Sequence, residues 1–239
     1  MNGPRAGQAP RGSPPGVAGR LARTAAGAAF LFLLPVLIYR AIESSAESRD
    51  SREVAFGSFA AGCLCVIALA LVGPRTQPFR PAQWRSVART YPPFLLVWVG
   101  FLLLYLRFMH GIGHPVDPQQ GLVYVAERRF DRPGFWLVLA TVTAIGPLAE
   151  EILFRGHLHS LLRDSLGGAL AIVLGAAAFG LVHPPGTRLP IGLLGLLFGW
   201  LRERHGSLLP SVIAHAAHNS ITVLVTLAWP ESLTLLYPR

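Results

Sequence analysis

Two adjacent glutamates, Glu150 and Glu151, close a stretch from Gly134 to Ala149 that carries no charge. A carboxylate at membrane depth costs about 2.5–3.5 kcal/mol at a helix centre even on the most lenient insertion scale, so acids placed there need a reason. Arg155 follows Glu151 by four residues, on the same helical face, which gives one carboxylate a neutralising partner. Glu150 is left over. Further polar residues occur in later apolar stretches: His183 after Phe179 in Phe-x-x-x-His, and His215 with Asn219 in His-Ala-Ala-His-Asn. A single membrane histidine is more often an interhelical hydrogen-bonding group than a catalyst. Two histidines, an asparagine and an unpaired glutamate on three stretches of one small bundle point instead to chemistry. Ser211 and Ser220 lack a carboxylate–histidine relay of their own, so the chemistry left is activation of water. Glu150 suits a general base, since burial moves a carboxyl toward neutral pH. His183 precedes Pro184, which places its imidazole at a helix C-terminus, where it can orient the water or pass a proton to a leaving amine. His215 and Asn219, one turn apart, can donate to a developing oxyanion.

The elements that must hold these residues are membrane helices. Of the 239 residues 52% are hydrophobic and 14% charged, against about a quarter charged in a soluble domain. Apolar runs near 24–39, 55–72, 92–109, 134–153, 167–183, 189–201 and 207–228 are mostly near the length of about 20 residues that crosses the hydrocarbon. Long unbroken runs, not alternating ten-residue segments, make them helices and not barrel strands. The expected fold is all-α, a polytopic transmembrane helix bundle of about seven spans. No internal repeat is evident.

All 21 basic residues are arginines, scattered over tail and loops, and read as topology and headgroup anchors, with no nucleic-acid partner expected. With the N-terminus inside, eleven arginines fall on the cytoplasmic side and nine outside, a weak positive-inside bias that makes the N-terminus cytoplasmic in a multi-pass protein of the cell membrane. Cys63 and Cys65, as a C-x-C pair on one helix, point to different faces and read as small core residues.

Residues 1–21, rich in Gly, Pro, Ala and Arg, read as a disordered tail. A cleaved signal peptide is the competing reading, with small residues at Ser44-Ser45-Ala46, but the apolar run is long and ends in Arg40, which favours a retained helix. Residues 22–133 hold the N-terminal spans and loops, with a polar loop at Pro74–Thr90. The segment His110–Pro133 is too polar to cross and should lie at the interface, with Tyr124, Phe130 and Trp136 as anchors. The run Leu189–Leu201 is only about 20 Å of helix, and its Gly192, Gly195 and Gly199 form a small-residue face for close helix packing. Beside that stands the idea that a short helix thins the bilayer and brings water to the acids. His157 and His159 should lie at the membrane surface and point apart; His218 is next to Asn219 without being part of the pattern.

Glu150-Glu151-Ile-Leu-Phe-Arg155, Phe179-x-x-x-His183 and His215-x-x-x-Asn219, in that order, resemble the three motifs of the CPBP (Abi) family of intramembrane endopeptidases, which includes the type II CAAX prenyl endopeptidases. The resemblance covers about 100 residues, so that 134–239 would be a CPBP-like catalytic core. It implies peptide-bond hydrolysis in the membrane, with Glu150 activating water, His183 its partner, His215 and Asn219 completing the site, and Glu151, Arg155 and Phe179 in support. The substrate would be a protein or peptide with a membrane anchor, met within the lipid bilayer. The family has been described both as glutamic proteases and as metalloproteases. Glu150, His183 and His215 could supply three zinc ligands, but no H-E-x-x-H is present, and the expectation is a site without a cofactor. Two other functions compete: a proton-coupled transporter using Glu150 as a relay, and a non-catalytic immunity or scaffold protein.

Overall fold

The computed structural model describes residues 49–72, 84–128 and 130–237; the expected tail at 1–21, the run 24–39 and the possible cleavage site at Ser44 lie outside them. Eight helices carry the described chain, and no strand occurs among the described residues. They are α1 (Arg49–Val72), α2 (Trp84–Gly111), the short α3 (Gln120–Ala126), α4 (Pro133–Leu166), α5 (Gly168–Leu181), α6 (Arg188–His205), α7 (Leu209–Ala228) and the short α8 (Ser232–Leu236). The all-α membrane architecture holds. By length and composition α2, α4 and α7 can cross a bilayer, while α1 and α5 contain shorter apolar stretches, so the count of seven spans is not established by the described chain.

Several boundaries depart from the hydropathy reading. Helix α4 does not end near residue 153 but runs for 34 residues. Its later polar residues find partners that let the helix continue: Arg155 pairs with Glu151 in the interior, while buried His159 and exposed Arg163 both reach Glu203 on α6. It stops at Gly167, whose φ of 85° is a left-handed geometry open to glycine. Helix α2 begins at Trp84, so the described part of the Pro74–Thr90 loop is helical, and it runs through Pro92 and Pro93. Its Leu96, Val97, Leu104 and Phe108 are exposed, as a face turned to lipid would be. Tyr124 is not an interface anchor. It is buried on α3 and donates to Glu53 Oε1 at 2.5 Å, which with burial pushes its phenol up to about 12, whereas Phe130 and Trp136 are exposed as expected.

The core sits where α4, α5, α6 and α7 meet, around Phe154, Phe179, Phe198 and Leu201. Helix α6 is 18 residues long, about 27 Å at 1.5 Å per residue, because Arg188 and the polar turn from Arg202 to His205 extend the short apolar run as helix. Its glycine face packs on α5: a Cβ on Gly195 would lie 3.0 Å from Ala176 Cα, and one on Gly199 3.4 Å from Ile172 Cα. On α5 itself, a Cβ on Gly180 would stand 2.6 Å from the Arg188 carbonyl oxygen, whereas one on Gly175 meets nothing within 4 Å. Gly180→Ala must therefore push α6 aside, an overpacking cost of about 1–3 kcal/mol, and should lower the melting midpoint in detergent by at least about 3 °C. Gly175→Ala should leave it unchanged or raised; equal effects of the two would contradict this packing.

Candidate active site

Glu151 and Arg155 are both buried, with side-chain exposures of 0% and 2%, and Arg155 Nη1 donates to Glu151 Oε1 at 3.0 Å. A buried ion pair is costly unless the remaining protons and lone pairs are also met, and here Glu151 Oε2 is buried without a hydrogen-bond partner among the described residues while the guanidinium is better served. The other arm of the guanidinium, Nη2, donates to the Gly195 carbonyl at 3.1 Å. Its plane packs among aromatic faces, with Cζ 4.4 Å from the Phe179 ring centroid and 5.2 Å from that of Phe198. Phe179, in the Phe-x-x-x-His pattern, thus covers the buried arginine on one side.

His215 is the shared neighbour of the two acids. Its Nδ1 lies 3.0 Å from Glu151 Oε1, and its Nε2 lies 3.7 Å from Glu150 Oε2. With Glu151 ionised against Arg155, Nδ1 carries the proton and donates, which turns Nε2 to Glu150. The ring is stacked on Phe198, with centroids 4.7 Å apart and planes at 20°, and meets Phe179 edge-on at 5.7 Å. Glu150, with 14% of its side chain exposed against none for Glu151, stands on the accessible side of this histidine.

His183 lies just past the end of α5, as Pro184 suggests. Its ring Nδ1 is 2.7 Å from the Phe179 carbonyl, so it donates to an otherwise orphan group of its own helix end and leaves Nε2 to face outward from that bond. Phe179 links the histidines: its ring lies 5.0 Å from that of His183 and meets that of His215, which in turn neighbours Glu150. Asn219 is differently engaged: its Nδ2 donates to the Val142 carbonyl on α4 at 2.8 Å.

Of the side chains set aside in the sequence, His159 is not at the surface. It is buried, with Nε2 3.0 Å from Glu203, and His157 is half-buried against the Ile152 carbonyl at 2.9 Å. Burial alone would raise the Glu203 carboxyl; hydrogen bonds from His159 and Arg163 outweigh it and hold the group below its usual range. His218 is buried between α7 and α2, 3.0 Å from the Tyr91 hydroxyl and edge-on to Trp98. Sequence reasoning missed Phe198 and the carbonyl of Gly195, which in an apolar helix give no polar signal. It also missed that α4 widens into two π-helical turns, Thr141–Ile145 and Ile152–Leu158, on either side of the glutamates. The Gly146-Pro147 pair was the available sign of the first.

His215 Nδ1 is committed to Glu151 and His183 Nδ1 to a carbonyl, which leaves Nε2 of each ring as the nitrogen that could meet an ion or a water. Among the described residues no group of three or more His, Cys, Asp or Glu side chains is placed to hold a metal ion.

Removing one member of a buried pair leaves an uncompensated charge and costs about 3–5 kcal/mol. Arg155→Leu should therefore reduce the yield of folded protein in detergent, measured by size-exclusion chromatography and thermal unfolding. A well-folded but inactive Arg155→Leu protein would show instead that the arginine acts on substrate.

No solved structure matches the chain. Residues 132–221, which run from the start of α4 into α7 and contain all three motifs, match the family model described as type II CAAX prenyl endopeptidase Rce1-like. Over that segment the chain is similar to the type II CAAX prenyl endopeptidases, the kind of protease that its motifs resemble.

Proposed function

We propose that the protein is an intramembrane endopeptidase of the cell membrane that hydrolyses a peptide bond of a membrane-anchored protein with water activated by Glu150. The observation that carries the reading is the unequal treatment of the two glutamates: Glu151 is locked between Arg155 and His215, while Glu150 keeps a partly exposed carboxylate 3.7 Å from His215 Nε2. A carboxylate partly open to water, and in no salt bridge with an arginine among the described residues, can reach a water molecule and accept its proton.

In the proposed cycle the water oxygen attacks the scissile carbonyl carbon as its proton passes to Glu150. His183, through Nε2, orients that water. His215, its Nδ1 donating to Glu151, keeps Nε2 as an acceptor beside Glu150, where it helps hold the attacking water in place. The tetrahedral intermediate collapses with cleavage of the C–N bond as the proton taken by Glu150 is delivered to the leaving amine, directly or through His183. The proposed cycle uses no metal, since Glu150 itself takes the proton of the attacking water. Residues 134–239 form the catalytic core, and the cytoplasmic N-terminus follows from the arginine bias.

The test is cleavage of a membrane-tethered peptide by purified protein in detergent or vesicles. Glu150→Gln should keep the fold and lose more than about a hundredfold in rate, the low end of a general-base effect. Dialysis against a strong chelator should leave the wild-type rate unchanged. Full activity of Glu150→Gln would sink the assignment, and chelator-sensitive activity restored by zinc would replace Glu150 as base with a metal-bound water.

A further inference from the structure

Pro147 lies inside α4, three residues before Glu150, and a proline within a helix has no N–H to return to the preceding turn. The helix accommodates it by widening. Over Thr141–Ile145 the hydrogen-bond register lengthens, and the Gly146 N–H reaches back five residues to the Thr141 carbonyl. In the ordinary register that N–H would have served Val142; in the widened register the donor to Val142 would be residue 147, the proline. The Val142 carbonyl is thus deprived on both counts. Asn219, reaching across from α7, donates its Nδ2 to that oxygen at 2.8 Å.

Other residues fit the same turn. A Cβ on Gly146 would lie 2.8 Å from the Thr141 carbonyl oxygen, so glycine is what the close approach admits. The Thr141 and Thr143 hydroxyls return to the Leu137 and Leu139 carbonyls, at 2.7 Å each, which keeps them from competing for Val142. A widened turn holds one extra residue, and at 3.6 residues per turn that rotates everything after it by about 100°. Glu150 and Glu151 come directly after it, so the turn decides which of them faces Arg155 and which faces His215 from the accessible side.

We infer that Asn219 is a positioning residue: its amide supplies the hydrogen bond that Pro147 withholds from Val142, and so fixes the widened turn that sets the direction of Glu150. Through this bond it acts on the backbone of α4, with one of its two amide protons. The kinetic arm of the test rests on the endopeptidase reading; the stability arm does not.

The experiment is a double-mutant cycle of Asn219→Ala and Pro147→Ala, read as melting midpoint in detergent and as kcat and KM on the membrane-tethered peptide. Asn219→Ala should lower the midpoint and reduce kcat by about tenfold or more with KM nearly unchanged, since binding surface is not lost. Pro147→Ala returns an N–H to the turn, so in that background the loss caused by Asn219→Ala should shrink to about half or less in both readouts. If Asn219→Ala alone does not accumulate as folded protein, recovery of folded yield in the double variant is the supporting result, and no recovery overturns the proposal. A kcat loss of the same size in both backgrounds with an unchanged midpoint would make Asn219 a direct participant in chemistry and overturn it. So would the absence of any effect. If the wild type cleaves nothing, the endopeptidase reading fails, while the coupling in melting midpoint still decides the role of Asn219.

Discussion

The buried pair of Glu151 and Arg155 constrains everything around it, because neither charge could stay in the bundle without the other and without further bonds. Their demands recruit three other helices. Gly195 of α6 offers a carbonyl, His215 of α7 offers a ring nitrogen, and Phe179 of α5 offers a ring face. An arginine suits this better than a lysine would, since its planar fork satisfies a carboxylate and a carbonyl at once while its face packs on aromatic rings. The glycine-lined contact of α5 and α6 follows from the same demand, since Arg155 meets the backbone of one and the phenylalanine of the other.

Around that anchor the site separates two identical side chains by environment. Glu151 is fully buried between two partners, and Glu150 stands one residue further toward solvent with His215 between them. The histidine is therefore held from behind by one acid and presented to the other. This arrangement depends on the phase of α4, and that phase is set by two widened turns bracketing the glutamates. Such turns recur at functional sites because they alter where a few side chains point while the helix continues. Here the first turn also absorbs a proline, so the same device that tolerates Pro147 aims Glu150.

Much of this was legible in the residues. Charge in an apolar run exposed Glu150, Glu151 and Arg155, and the i,i+4 spacing foretold the pair, because helical geometry is local and ion pairs at that spacing are short-range. Pro184 foretold that His183 would sit at a helix end. What stayed hidden was whatever depends on the partner helix. Hydropathy stopped α4 near residue 153 because it counts His159 and Arg163 as polar, and only the tertiary fold supplies Glu203 to satisfy them. His159 was placed at the surface for the same reason. Asn219 was read as an oxyanion donor from its spacing to His215; that its amide also meets a carbonyl on α4 is something no pattern within α7 could announce. Tyr124 looked like an interfacial aromatic and is instead buried against Glu53.

The central claim is that the two glutamates have different jobs, Glu151 holding the bundle and Glu150 left available for chemistry. The most direct measurement is thermal unfolding of Glu150→Gln and Glu151→Gln side by side in the same detergent. Glu151→Gln strands Arg155 without its counter-charge and should lower the melting midpoint by several degrees or prevent folding. Glu150→Gln should melt within about 1 °C of the wild type or above it, since the replaced carboxylate has no buried cation of its own to neutralise. Equal destabilisation by both, or a loss confined to Glu150→Gln, would contradict the account.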